Sequence, residues 1–546
     1  MMKSLLGVFA PSIFCFILPL HIYPQDASIK FNQQSIEIQG EVDNVILRDL
    51  NNDKLQEVIF QQGHNLVIYN LLNTASGAGL TRSSVYKLPD DVCIYDITET
   101  NSNGNIIYIN NKGINLSGIL SPTAQAFRYP CRTIFRNEIF PAPLRKRIMF
   151  DLACSEPFVG TQGKLSESNG RNRAVVVPAN GKFLIVPYGD ILSGVITQTE
   201  EVPVAVTSRV YNSASIFEPL ATDISLPVFA FADLNNDKYN DFITLAYNNI
   251  CGFISDKQDK EGRSTFLFKP AGNLLSIPED AANQEIDFGY TLSPIISDIN
   301  KDGYADIIFS DDREGTVYIY LNQFSADGIF FAKTPTQIIR TNNWIIEHNL
   351  IDLNGDSLDD LVLVQMNKLG VMGGLQAILA KTLEWEVVVY LARPAKNTAP
   401  NGRGVAPASE IYPKSPDYVR SIKLPFSFSY SSSLSLGRSL PKIQSPYIWS
   451  LAGDFNGDRI RDLLLSSTES QMGVYPGDKQ QIFNKDILAS FNLLSANQGY
   501  KLMGMPYGAP IISDINNDGK SDIIIPLTRQ DSAGIVSCSY DILLSN

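Results

Sequence analysis

Asp298-Ile-Asn300-Lys-Asp302-Gly303-Tyr304-Ala-Asp306 is a nine-residue acidic loop set between two short apolar runs, Ile295-Ile296 and Ile307-Ile308-Phe309. Five more stretches share its pattern: Asp49-Leu-Asn51-Asn-Asp53-Lys-Leu55-Gln-Glu57, Asp233-Leu-Asn235-Asn-Asp237-Lys-Tyr239-Asn-Asp241 and Asp352-Leu-Asn354-Gly-Asp356-Ser-Leu358-Asp-Asp360. The last two are Asp454-Phe-Asn456-Gly-Asp458-Arg-Ile460-Arg-Asp462 and Asp514-Ile-Asn516-Asn-Asp518-Gly-Lys520-Ser-Asp522. We number them loops 1 to 6 in chain order. Positions 1, 3, 5 and 9 carry an oxygen donor in all six. Asn and Asp are good turn residues in their own right. Turn chemistry alone, however, does not require an acid at positions 1, 5 and 9 in every copy. Calcium takes 6–8 hard oxygen ligands. Four side chains, the backbone carbonyl of position 7 (Leu55, Tyr239, Tyr304, Leu358, Ile460, Lys520) and water would supply them.

The residues after each loop decide the architecture. Val58-Ile59-Phe60, Phe242-Ile243-Thr244, Ile307-Ile308-Phe309, Leu361-Val362-Leu363, Leu463-Leu464-Leu465 and Ile523-Ile524-Ile525 read as buried strands. An EF-hand requires a Glu at position 12 and a helix beyond it. Position 12 here is Phe60, Thr244, Phe309, Leu363, Leu465 and Ile525, so helix-based calcium repeats are excluded. A strand also precedes each loop, as at Val45-Ile46-Leu47, so each loop ties a hairpin. Position 2 is always apolar (Leu50, Leu234, Ile299, Leu353, Phe455, Ile515) and is expected to anchor the loop to the core.

Repetition at tens of residues signals stacked units that cannot bury their faces alone. The first Asp residues of loops 2 to 6 are spaced by 65, 54, 102 and 60 residues, which suits a four-stranded blade plus connections. The expected fold is all-β, a β-propeller of such blades. The gap from Asp49 to Asp233 should hold degenerate blades, one at Val92–Asp96 with Asn105–Ile109 and a weaker one at Arg147–Asp151 with Ala174–Val177. Keeping both gives eight blades, and discarding the weaker gives seven. After Asp522 there is room for two strands and no fourth. The segment Ser28–Ile38 is expected to complete the last blade and remove an exposed sheet edge.

These loops resemble the FG-GAP/VCBS repeats of integrin α-subunit propellers and of many secreted proteins, over roughly residues 43–546. The resemblance implies a propeller whose Asp-x-Asn-x-Asp-Gly-x-x-Asp loops bind calcium. By that likeness Asp298, Asn300, Asp302, the Tyr304 carbonyl and Asp306 form one site, and the other loops form theirs. Position 6 is Gly only at Gly303 and Gly519. Lys54, Lys238, Ser357 and Arg459 replace it elsewhere, at a conformational cost if the backbone there needs positive φ. Glu57 replaces the usual Asp, so loop 1 departs furthest from the pattern.

The formal net charge is −13, from 44 basic and 57 acidic residues. Positions 1, 5 and 9 of the loops hold 18 of those acids, and six divalent ions would bring the chain near neutrality. The acidity therefore belongs to the loops, and no Lys/Arg stripe suggests nucleic acid. Lys3 followed by a mostly apolar run to Leu20 reads as a signal peptide or N-terminal anchor over residues 1–25, leaving the propeller at 28–546. The expected location is secreted or at the cell surface, periplasmic or outer-surface in a bacterium. Membrane contact is expected only through the anchor. Beyond Cys15 the cysteines are Cys93, Cys131, Cys154, Cys251 and Cys538, an odd and irregular set that implies no disulfide framework. Cys131 and Cys154 flank one connection, where pairing and free thiols both stay open. Asn115-Leu-Ser117 is the one glycosylation sequon.

No catalytic residues are assigned. The histidines are His21, His64 and His348, far apart in the chain, so a Ser-His-Asp triad or a His-rich metal site is not expected. Neither a nucleophile elbow nor a phosphate-binding Gly loop is present. Residues 393–444 read as an insertion rich in Pro, Ser and Tyr, able to act as a contact surface or to be a tolerated loop. The expected function is a calcium-binding adhesion, binding or scaffold module, with a protein or glycan ligand at a propeller face or at the 393–444 loop. The alternative is a calcium-dependent carbohydrate-active protein, a polysaccharide lyase or a lectin.

Overall fold

The computed structural model describes residues 29–545 except 99–104, 119–147, 155–173, 188–199, 212–220, 257–266, 277–293, 324–330, 369–378, 394–409, 430–441, 445–448, 503–508, 531–535 and gaps of one to three residues. Nearly all ordered elements are strands. Sheet 1 runs Asn44–Arg48, Glu57–Gln62, Asn65–Thr74 and Gly77–Lys87. Sheet 2 holds Ile94–Thr98, Asn105–Asn110, Gly113–Gly118 and Ile148–Met149, and sheet 3 holds Ala153–Cys154, Ala174–Ala179, Lys182–Pro187 and Glu200–Pro203. Sheet 4 begins at Phe229–Ala232, sheet 5 at Ile295–Ser297, sheet 6 at Trp344–Ile351 and sheet 7 at Trp449–Gly453, each with four strands. Sheet 8 joins Ile511–Ser513, Asp522–Gln530 and Val536–Ser545 to the N-terminal strand Phe31–Gln39, with short Lys501–Leu502 beside them.

Seven of these sheets are antiparallel throughout and are the blades of a propeller. Sheet 2 differs, because Ile148–Met149 pairs parallel to Ile94–Thr98. Seven is the lower of the two expected counts, but for another reason than the sequence suggested. The stretch at 174–177 belongs to a regular antiparallel sheet, and it is the neighbourhood of Ile94 that departs.

The three-residue apolar runs after the loops now have a cause. Each begins the second strand of its blade, which is covered on both faces, so successive side chains pack against different neighbours. Ile307 and Phe309 pack toward sheet 4, whereas Ile308 packs toward sheet 6. Val362 and Val364 meet sheet 7 while Leu361 and Leu363 meet sheet 5. Ile523 and Ile525 join the core shared with sheet 7, and Ile524 the core shared with sheet 1. A half-buried strand would alternate with polar residues. These cannot.

Ring closure follows the expected route. The N-terminal strand pairs antiparallel with the last strand along its whole length, from Phe31 opposite Ser545 to Gln39 opposite Ser537. One of its faces buries Ile36 and Ile38 in the core shared with sheet 1, and the other carries Glu37 and Gln39 and packs Phe31 on Phe455 and Phe491 of sheet 7. A polar latch reinforces it. The buried Asp541 carboxylate accepts the Ser35 hydroxyl (2.6 Å), the Ser495 N–H (3.1 Å) and the Ser495 hydroxyl.

The stretch 393–444 is not one free insertion. Tyr418–Pro425 pairs with Thr382–Tyr390 and is the fourth strand of sheet 6. Ahead of it, Tyr412 is fully buried. Gln337 holds its backbone at both ends (Nε2 to the carbonyl 2.5 Å, Oε1 from the N–H 3.2 Å), and its hydroxyl donates to the Asp359 carbonyl (2.8 Å). Ser427–Ser429 and Lys442–Gln444 form a further hairpin. The run of Pro and Ser around these elements hid them, since neither a lone buried Tyr nor an edge strand shows strong periodicity.

The sequon also resolves. Asn115 lies inside a strand with its side chain buried, an unsuitable glycan acceptor. Cys251 and Cys538 are free thiols, and Cys93 and Cys131 lie outside the described residues, as does segment 1–25. Among the described residues no helix is long and apolar enough to cross a membrane.

Removal of residues 29–40 should leave the last strand as an open edge and produce self-association in light scattering. Ile38→Ala should cost about 2–4 kcal/mol in denaturant unfolding. A truncated chain that stays monomeric with an unchanged melting temperature would refute this role for the N-terminal strand.

Candidate metal-binding loops and the face they form

In every loop the N–H of position 5 donates to the Asn side chain at position 3, and most loops add bonds back to the Asp at position 1. In loop 3 Asp298 accepts the N–H groups of Asp302 and Gly303 (3.0 Å each), and Asn300 Oδ1 also accepts from Asp302 (3.0 Å). Asp302 Oδ1 takes the Tyr304 N–H (3.0 Å), while Asn300 Nδ2 donates to Asp302 Oδ2 (2.9 Å). Loops 1, 4 and 6 repeat the bonds from position 1 to positions 5 and 6. Loop 5 closes instead through Gly457 and Arg459 onto Asp454. In loop 2 Asp237 bonds back to Asp233 and Asn235, and Lys238 and Tyr239 lie outside the described residues.

Position 2 is buried in all six loops, as expected from Leu50, Leu234, Ile299, Leu353, Phe455 and Ile515. Its N–H donates to the acid at position 9, at distances from 2.6 Å (Leu50 to Glu57) to 3.0 Å (Ile299 to Asp306). The second oxygen of the Asp at position 9 accepts an N–H at the end of the blade's third strand. The donors are Ser255 to Asp241, Asn322 to Asp306, Ala392 to Asp360, Gly477 to Asp462 and Ser545 to Asp522, at 2.8–2.9 Å. Glu57 breaks this rule, because its second oxygen meets Asn51 Nδ2 (3.1 Å) inside its own loop. The extra methylene redirects the arm.

Two backbone positions carry the strain. Position 4 has positive φ in every loop (Asn52 61°, Asn236 58°, Lys301 57°, Gly355 74°, Gly457 79°, Asn517 56°). Position 6 does so at Lys54 (71°), Gly303 (94°), Ser357 (70°), Arg459 (68°) and Gly519 (85°). The sequence flagged position 6 and missed position 4, although Asn and Gly, both tolerant of this region, fill five of its six copies. Gly303 has a second constraint, since a Cβ there would lie 2.6 Å from Nδ2 of Asn236 in the neighbouring loop.

The loops touch one another around one end of the propeller. Ala305 N–H donates to the Asp233 carbonyl (2.8 Å), linking loops 3 and 2, and Asn322 Nδ2 reaches the Leu234 carbonyl (2.8 Å). Lys301 Nζ meets Asp359 (3.0 Å) between loops 3 and 4. Ser521 N–H donates to the Asp454 carbonyl (2.7 Å) between loops 6 and 5, and Gln56 N–H to the Ile515 carbonyl (2.9 Å) between loops 1 and 6. Between loops 4 and 5 lies a cleft.

Among the described residues no three His, Cys, Asp or Glu side chains already converge on one metal centre. The donor set nonetheless fits a hard divalent cation. Positions 1, 3 and 5 contribute side-chain oxygens within one tight turn, each bonded oxygen keeps a second lone pair, and position 7 adds a carbonyl. Asp49, Asn51, Asp53 and Glu57 would hold such an ion in loop 1, and Asp233, Asn235, Asp237 and Asp241 in loop 2. In loops 4 to 6 the holders would be Asp352, Asn354, Asp356 and Asp360, then Asp454, Asn456, Asp458 and Asp462, then Asp514, Asn516, Asp518 and Asp522. His348 and His64 stand apart from these sites, with His348 Nδ1 against Ser310 Oγ (2.7 Å) and His64 beside Asp90 (3.4 Å).

Burial pushes the position-9 carboxyls up, against the pull of their backbone N–H donors and with help from the neighbouring loop acids. Asp306 rises to about 8, Glu57, Asp241 and Asp462 to about 7, and Asp360 and Asp522 to about 6.

Residues 298–363, loop 3 through the strand after loop 4, match the profile of the FG-GAP-like repeat. The protein is a β-propeller of the FG-GAP type. No curated protein matches the sequence. Similar solved folds include BBS1N in complex with ARL6DN, at 9% identity over 93% of both chains with a TM-score of 0.35. An Agrocybe aegerita lectin that recognises non-reducing terminal N-acetylglucosamine is 10% identical over 84% of this chain and 81% of its own, TM-score 0.34. The WD40 domain of fission-yeast SCAP is 9% identical over 94% and 98%, TM-score 0.33. At these values the likenesses carry no functional information.

In this FG-GAP propeller an acid whose pKa is raised by folding binds more protons in the native state than in the unfolded one. Stability from these groups is complete below about pH 4 and is lost as pH climbs through 6 to 8. Cation-free protein should therefore melt at a higher temperature at pH 5 than at pH 8.5. A flat or rising profile in calorimetry over that interval would contradict the assignment.

Proposed function

We propose that this FG-GAP propeller is an exported calcium-binding module whose loops rigidify one face for binding or adhesion to a partner. The observation that supports it is the recurrence of one oxygen-rich turn in six places, joined to its neighbours at one end of the ring. Three clustered acids in a loop repel one another, and a divalent cation removes that repulsion while crosslinking the turn. Binding is then worth folding free energy, because the unfolded chain has no formed site. A propeller of this kind is a generic binding or scaffold architecture, and the calcium loops make its face stiff. Export fits the apolar segment after Lys3 and the calcium levels available outside cells.

Calcium should raise the melting temperature of the full chain and a chelator should reverse the shift. An identical midpoint with calcium and with chelator would rule out the structural role of the ion. Asp302→Ala should lower the measured calcium stoichiometry by one and destabilise more than Asp53→Ala, since loop 3 has Gly303 and Asp306 where loop 1 has Lys54 and the redirected Glu57. The opposite order, or no ion lost from Asp302→Ala, would show that loop 1 is the stronger site. Sequencing the N-terminus of exported protein tests the leader, which is expected to be absent.

A further inference from the structure

The cleft between loops 4 and 5 encloses about 570 Å³ and is bounded by the two loops and the end of the strand Trp344–Ile351. That size suits a small ligand or a single side chain of a larger one. Leu350, Ile351, Arg459 and Arg461 line it, with the Ile351 side chain packed toward sheet 7 and that of Leu350 toward sheet 5.

The three acids that also line the cleft are engaged elsewhere. Asp352 accepts the N–H groups of Gly355 (2.8 Å) and Ser357 (2.9 Å), and Asp454 those of Gly457 (2.8 Å) and Arg459 (2.7 Å). Asp359 is neutralised by Lys301 Nζ at 3.0 Å and also accepts Ser297 Oγ at 3.4 Å. Among the described residues no carboxylate pairs with the Arg459 side chain. Arg459 also sits at φ 68°, a conformation suited to glycine, at the position that is glycine in loops 3 and 6. An arginine kept in such a backbone state, with its side chain lining a cleft, is a candidate for a functional contact.

From this we infer that the cleft binds a carboxylate borne on a short aliphatic chain. The carboxylate lies against Arg459, with Arg461 beside it, and the aliphatic part rests on Ile351. Guanidinium and carboxylate match in shape and charge and can form two parallel hydrogen bonds. Ile351 favours a short alkyl stem, and among the described residues no aromatic ring lines the cleft for a sugar to stack upon. The same chemistry can come from a free dicarboxylic acid or from an acidic side chain of a peptide. Asp352 and Asp454 are also the first residues of loops 4 and 5, so the charge balance rests on the calcium reading above. Ions in those loops would make the cleft more attractive to an anion.

The test is calorimetric titration of the full chain with glutarate, with a capped tripeptide carrying a central glutamate, and with its glutamine counterpart. Each titration is run in calcium and in chelator, with melting recorded alongside. At least one carboxylate probe should bind in calcium, and the glutamine peptide should not. Tighter glutarate binding would indicate a free acid as the source, and tighter peptide binding a protein partner. Arg459→Gly suits the local backbone and should fold at least as well as the natural chain, yet weaken the probe about tenfold or more. Arg461→Gln gives a second variant in which the backbone is untouched. Absence of binding by either carboxylate probe, or undiminished binding by both variants, overturns the inference. If calcium raises the melting point and neither probe binds, the cleft reading alone fails. If calcium leaves melting unchanged, the calcium reading fails as well.

Discussion

The structure depends on a buried carboxyl that accepts two backbone N–H groups of one blade, one from the loop and one from the end of the third strand. At position 9 of loops 2 to 6 an Asp joins the N–H of the loop's second residue to an N–H at the end of the third strand. Such bonds are worth about 0.5–1.5 kcal/mol each while the acid is protonated and about 1.5–3 kcal/mol once it is ionised. Leaving the carboxylate buried without them would cost more. That single residue fixes where the loop turns, how the third strand ends and which way the apolar residues on either side point. It also explains why the acid is retained where the chain departs elsewhere: loops 4 and 5 lack Gly at position 6 but keep Asp360 and Asp462.

From that brace the rest follows in layers. The apolar residue at position 2 is pulled into the core, and the strand after the loop is covered on both faces. Successive side chains then serve two different inter-blade cores, so every blade needs its neighbours. The ring has one seam that the chain must close, and it closes it with the N-terminal strand and the Ser35–Asp541–Ser495 latch. Strand direction places all six loops at one end. It also brings the connection between the third and fourth strands of sheet 6 to that end, where Ala392 donates to Asp360 and Tyr412 to Asp359. The six loops, the buried Tyr412 anchor and the Arg459 cleft thus share one face.

Much of this was legible in the sequence because a nine-residue pattern of donors and apolar residues is local chemistry. Asp298 through Asp306 names its own turn, and Ile307-Ile308-Phe309 names a doubly covered strand. Loop 1 was legible as the odd member from Glu57 alone, and the structure gives the cause in the bond to Asn51. Other features could not be read in advance. The fourth strand at Tyr418–Pro425 lies in a Pro- and Ser-rich stretch whose pairing partner is distant in sequence. The positive φ at position 4 was visible only as a preference for Asn and Gly, and Lys301 masks even that.

The sequence by itself determined an all-β propeller, the six loops, their oxygen donors and the strand that closes the ring. Each of these is written in residues a few positions apart or in a repeat that recurs whole. Only the tertiary structure decided that seven sheets are antiparallel throughout, that the acid at position 9 braces two strands and that neighbouring loops bond to one another. It alone placed Arg459 and Arg461 beside Leu350 and Ile351. These relations join residues far apart along the chain, from 15 positions between Asp462 and Gly477 to 506 between Ser35 and Asp541. The closing of a ring brings such pairs together, and no local pattern records which pairs will meet.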